Sequence, residues 1–223
     1  MKKGILILTM LSLLLGQSRH MPADTSVVTK HKTTIGGKKV DYKATTGTQP
    51  VWNDDGHPIA AVHYTYYERT DIKKDPSRPI MISFNGGPGS GSVWMHLAYT
   101  GPMILNVDDE GFPVQPYGVK SNPHSILDVA DIVFVNPVNT GFSRILDKDT
   151  KKETFFGVNA DIAYLAEWIN TFIQRVNRWE SPKYLIGESY GTTRVSGLAA
   201  ALQGRQWMYI NGVILVSPTE LGI

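Results

Sequence analysis

The chain has 223 residues, enough for one large α/β domain or part of one, and its 42% hydrophobic and 10% aromatic content is ordinary for a globular protein. The formal charge is only +2, and Lys2 and Lys3 supply both units, so nothing electrostatic argues for nucleic acid or an anionic membrane as partner. Cysteine is absent, which excludes disulfides, and no His/Asp cluster stands at ligand spacing, so neither a metal nor an organic cofactor is expected.

The first 18 residues, "MKKGILILTMLSLLLGQS", join a basic start to an apolar core from Ile5 to Leu15, followed by the small residues Gly16 and Ser18. That is the pattern of a cleavable export segment. The apolar run is short for a membrane span of about 20 residues, and no cysteine follows it for lipidation. The expected organisation is a signal peptide over 1–18 and an α/β domain over 19–223. The expected destination is a bacterial periplasm or the extracellular medium, with no stable membrane anchor after cleavage.

Two alternating stretches flank "IGGKK", where Gly36 and Gly37 allow the backbone signs of a tight hairpin. "PIAAVHYTYYER" alternates again, with Ala61, His63, Thr65 and Tyr67 on one face and Val62, Tyr64 and Tyr66 on the other. His31 and His63 therefore read as sheet-surface residues. "RTDIKKDPSRP" is a charged connection suited to a solvated loop.

From Pro79 the pattern changes. "PIMISF", "DIVFV", "KYLI" and "GVILV" are short apolar runs without alternation, as expected of strands buried on both faces. Between the second and third of these, Ile162, Leu165, Ile169, Phe172, Ile173 and Val176 keep helical spacing. Strands and helices in this alternation predict a mostly parallel sheet with helices on both faces. The N-terminal hairpin and the strand after it would add an antiparallel edge.

"KYLIGESYGTTR", Lys183 to Arg194, holds Ser189 in the Gly-x-Ser-x-Gly frame of an α/β-hydrolase nucleophile. It follows one buried strand directly and precedes a helix-like run, the setting that the motif requires. Gly187 and Gly191 leave room for a sharp turn, and backbone N–H groups at the helix start would face a substrate. A second glycine cluster, "SFNGGPGSGSVW", also ends a buried strand, where such sheets gather ligand loops. Its N–H groups can point at a developing oxyanion, and no Gly-Lys-Ser/Thr ending makes it a phosphate loop. A serine hydroxyl needs a base, yet all six histidines precede Ser189.

The two loops together resemble the serine carboxypeptidase family. The similarity continues through "GPMIL", "NPHSILDVADIVFVNPVNTGFSR", "FFGVNADIAYLAEWI" and "SPKYLIGESYGTTRVSGLA" in family order, covers nearly everything from about Ile35 onward, and looks most like the bacterial branch. The resemblance implies an α/β-hydrolase fold and a peptide substrate with a free C-terminus. It implies that Ser189 is the nucleophile and that the N–H groups of Gly87 and Tyr190 form the oxyanion hole. It further implies that Asn85, the N–H of Gly86 and the side chain of Glu188 hold the peptide carboxylate.

Three positions depart from the family pattern. Tyr99 stands where well-studied members have a second glutamate, Phe84 replaces a tryptophan, and Asn139 replaces a glycine, although asparagine tolerates a left-handed backbone. The family places its aspartate and histidine on later strands. The expectation is therefore an N-terminal portion of a longer carboxypeptidase, without the C-terminal strands and inactive alone. An acyltransferase of the same lineage and a non-catalytic peptide-binding relic remain open alternatives.

Overall fold

A computed structural model describes residues 22–73 and 75–219, so the expected export segment lies outside the described residues. The chain opens with β1 (Thr25–Ile35) and β2 (Lys38–Trp52), paired antiparallel from Ile35 opposite Lys38 outward. Only Gly36 and Gly37 connect them, with φ of +54° and +78°, the double positive that a two-residue hairpin of this twist needs. β3 (Pro58–Arg69) continues the antiparallel edge.

Four short strands form the parallel part: β4 (Ile80–Phe84), β7 (Asp131–Val135), β9 (Lys183–Glu188) and β10 (Gly212–Val216). Every residue of β4 and β7 is buried, which is why neither alternates in sequence. The sheet order is β1-β2-β3-β7-β4-β9-β10, antiparallel as far as β3–β7 and parallel beyond it. A two-residue strand, β8 (Arg144–Ile145), pairs with β3, and β5 (Met103–Leu105) with β6 (Val119–Ser121) makes a separate small hairpin.

Helices α1 (Val158–Arg175) and α2 (Tyr190–Arg205) lie together on one face. Leu165, Ile169 and Phe172 of α1 and Val195, Leu198 and Leu202 of α2 bury against Ile80, Ile82, Phe84 and Leu185 of the sheet. The opposite face, with Met81, Ile132, Phe134 and Ile186, is covered by Met95 of a short helix, Met95–Thr100. This is a partial α/β-hydrolase fold.

At the N-terminal ends of the parallel strands, Asp131 accepts from Arg78 Nε at 2.9 Å and pairs with Arg178, itself only 7% exposed. A cavity of about 550 Å³ opens beside them. It lies at the far end of the sheet from the two glycine motifs, which both follow the C-terminal ends of strands.

Candidate active site

Ser189 separates β9 from α2 with φ 56° and ψ −126°. Side chains rarely adopt a positive φ, so surrounding contacts must hold the turn. They do so through hydrogen bonds. Ser189 N–H donates to Val216 O at 3.0 Å, and Ser189 O accepts from Thr192 N at 2.9 Å and Thr192 Oγ1 at 2.7 Å. A Cβ on Gly187 would sit 2.1 Å from Gly191 O, so the motif's glycines are a steric requirement of the bend. Ser189 is partly exposed, and among the described residues nothing hydrogen-bonds its hydroxyl.

The loop after β4 leans on this bend. A Cβ added to Gly86 would lie 2.6 Å from Tyr190 N, 2.7 Å from Glu188 O and 2.9 Å from Ser189 Cβ. Only a bare backbone fits there. The next residue, Gly87, takes φ +109°. The two motifs therefore meet: Asn85 and Gly86 of one loop touch Glu188, Ser189 and Tyr190 of the other, and Gly87 follows next in the chain.

Asn85 is 1% exposed, and all its polar groups are partnered. Its Nδ2 donates to Glu188 Oε2 at 2.9 Å, its Oδ1 accepts from Met95 N at 3.0 Å, and its N–H donates to Ser92 Oγ at 3.3 Å. Its carbonyl accepts from Arg194 Nη1 at 2.9 Å. Tyr99, which the resemblance sets where a second glutamate is expected, is exposed, and among the described residues no hydrogen bond joins it to Glu188. Asn139 adopts φ 59°, a left-handed backbone that asparagine tolerates.

Sequence reasoning missed the support beneath this site. Arg194, 1% exposed, donates from Nε to Asp161 Oδ2 at 2.7 Å and lies over the rings of Tyr190 and Phe84 at 5.1 and 5.6 Å. Burial pushes the Asp161 carboxyl up, against the opposing pull of Arg194. The available signal was one charge within the first five residues of each helix, on the side that otherwise carries the apolar residues. Above the pair opens a cleft of about 290 Å³, lined by Pro88, Val138, Phe155, Phe156 and Tyr190 among others.

The histidines fall elsewhere. His31, His57 and His124 are exposed, and His20 is outside the described residues. His96 stacks on Phe134 with ring centroids 4.4 Å apart, and its Nε2 lies 2.6 Å from Tyr67 OH. Burial pushes it down to about 4, with His63 adding to the shift. His63 is half-buried rather than on an open sheet surface, because Phe142 and Asn136 close over it.

A family model described as serine carboxypeptidase matches residues 37–215, from the first hairpin to β10. The chain belongs to the serine carboxypeptidase family. It is 27% identical over 168 residues to serine carboxypeptidase-like 31 of Arabidopsis thaliana, covering 74% of this chain and 31% of that protein. To carboxypeptidase Y of Saccharomyces cerevisiae it is 29% identical over 146 residues, covering 65% of this chain and 24% of the other. A solved structure of KEX1(delta)p, a prohormone-processing carboxypeptidase from the same yeast, aligns with a TM-score of 0.58 at 19% identity, over 78% of this chain and 38% of that one. The chain thus spans about a third of the length of the curated relatives it matches. Among the described residues no helix is long and apolar enough to cross a membrane, and no group of three or more His, Asp or Glu could hold a metal ion.

Proposed function

We propose that this protein is a serine-type carboxypeptidase that removes C-terminal residues from peptides through an acyl-enzyme on Ser189. The observation that carries the proposal is the contact of the two motifs, with Gly86 packed on the elbow and Asn85 bonded to Glu188. In this reading Ser189 Oγ attacks the last peptide carbonyl. The N–H groups of Gly87 and Tyr190 receive the oxyanion, and Asn85, Gly86 N–H and Glu188 hold the terminal carboxylate. The order of the loop supports that division. Asn85 meets Glu188 at one end, Gly87 follows, and Pro88 leads into the apolar cleft where the acyl-side residues would lie.

A neutral serine needs a base to take its proton, and none of the described histidines bonds to Ser189. This reading requires a base other than the described histidines. The basic and apolar N-terminus supports export.

The test is hydrolysis of a matched peptide pair, one with a free and one with an amidated C-terminus, by protein made from its complete reading frame. Release of single residues from the free acid alone, abolished by Ser189→Ala, is expected. Equal cleavage of the amide, or internal cleavage, would sink the assignment.

A further inference from the structure

The glycine-rich loop is tied to His63 by an unbroken chain of hydrogen bonds. His63 Nδ1 lies 3.1 Å from Asn136 Nδ2, just past the end of β7. Asn136 Oδ1 accepts from Ser92 N–H at 2.9 Å. Ser92 Oγ accepts from Asn85 N–H at 3.3 Å and itself donates to Val135 O at 2.5 Å. Asn85 then reaches Glu188 at 2.9 Å.

The direction of this chain is forced. A backbone N–H can only donate, so Ser92 fixes which end of the Asn136 amide is oxygen. Nδ2 must then face His63, whose Nδ1 can accept only while it carries no proton. Nor can the amide move aside, because a Cβ on Gly91 would lie 3.0 Å from Asn136 Oδ1 and one on Gly141 2.5 Å from Nδ2. Two glycine backbones wall it in. If the amide flipped to suit an imidazolium, its NH₂ would face the Ser92 N–H, replacing one donor–donor clash with another.

We propose that His63 is a proton-sensitive positioning residue for the glycine-rich loop. As a neutral ring it locks Asn136 and, through Ser92, holds Asn85. As an imidazolium it sets N–H against N–H and releases the segment. The ionisable groups around it are His96, whose protonation it opposes, Tyr67 bonded to His96, and Arg144 on β8, which pairs with β3. None carries negative charge at neutral pH, so none of them supports an imidazolium at this place. Burial lowers the ring's proton affinity further, which puts the transition on the acid side of neutrality. The effect on catalysis rests on the carboxypeptidase reading, whereas the coupling of ring to loop does not.

Two variants separate this role from simple packing. His63→Phe keeps the aromatic bulk and removes the acceptor. Asn136→Asp keeps the acceptor for Ser92 N–H and can also accept from an imidazolium. Hydrogen exchange of the 85–95 segment, corrected for intrinsic rate, is expected to accelerate about tenfold in the wild type between about pH 7.5 and 5, the size of one lost hydrogen bond. It should be fast at both pH values in His63→Phe and slow at both in Asn136→Asp. In peptide hydrolysis by the complete protein, the ratio of the wild-type KM to that of Asn136→Asp should rise toward acid, whatever pH slope the two proteins share.

Exchange that responds to pH identically in the wild type and Asn136→Asp would overturn the proposal, as would a wild type with no response. If the exchange pattern appears but no peptide is cleaved, the coupling stands and the carboxypeptidase reading falls. If peptides are cleaved with the same acid limb in all three proteins, the reverse holds.

Discussion

Asn85 and Glu188, 103 residues apart in the chain, are joined by a hydrogen bond of 2.9 Å from the amide of one to the carboxylate of the other. That bond ties the end of β4 to the end of β9, so any ligand held by one loop is registered against the nucleophile on the other.

It also leads to a pH dependence of the proposed peptide binding. A peptide carboxylate held beside Glu188 sets two carboxylates within hydrogen-bonding distance, and such a pair keeps one proton between them. Binding should therefore weaken as pH rises out of the acid range. Glu188→Gln donates at every pH, and KM measured from about pH 4 to 8 should lose most of its slope. An unchanged profile in the variant would remove Glu188 from carboxylate binding.

Gly86→Ala should be far more damaging than its size suggests. Its methyl group would meet Tyr190 N and Glu188 O at 2.6 and 2.7 Å, both backbone atoms that cannot rotate away. The loops must part, and a displacement of about 1 Å at a reacting centre costs on the order of 100-fold in rate. Turnover of peptide by Gly86→Ala within a few-fold of wild type would contradict the packing described.

The buried pair under the site predicts a non-additive double mutant. Arg194 and Asp161, with side chains 1% and 9% exposed, leave an uncompensated charge if either is removed alone. Arg194→Met should destabilise by about 3–5 kcal/mol in urea titrations. Arg194→Met combined with Asp161→Leu should cost clearly less than the two singles summed. Strict additivity would mean that the two charges do not interact.

Stability should decline with acid through His96. Its folded-state value, about 4, lies below the unfolded 6.5, so the neutral ring's contribution is full above pH 6.5 and is lost as pH falls toward 4. The amount is at most about 3 kcal/mol. Denaturation midpoints should fall across that window, and His96→Phe should flatten the fall while losing the bond to Tyr67. A slope that survives the substitution would trace to other groups.

β10 borders the sheet with Val213, Ile214 and Leu215 at 38%, 40% and 48% exposure, so the 223-residue polypeptide should associate in solution. Ile214→Lys should shift light scattering toward monomer. A wild-type chain that is monodisperse at high concentration would refute this.

The local parts of this protein are legible in its sequence because short-range physics sets them. Paired positive φ at Gly36 and Gly37, unalternating runs in β4 and β7, 3.6-residue spacing in α1 and glycines flanking Ser189 each follow from sterics or burial within a few residues. The glycine loop and the elbow were visible as motifs for the same reason.

What they touch was not, since contact depends on strand order. Placing β7 between β3 and β4 is what brings Asn136 to His63 across 73 residues, turning an apparent surface histidine into part of the loop's support. Setting β9 beside β4 joins Glu188 to Asn85, and packing α1 on α2 buries Asp161 against Arg194. Residue pattern alone decided the kinds of elements and the chemistry that each could carry. Only tertiary packing decided which polar groups share a proton, a partner or a wall, because hydrogen bonds and charges act over a few ångströms in space whatever their separation along the chain.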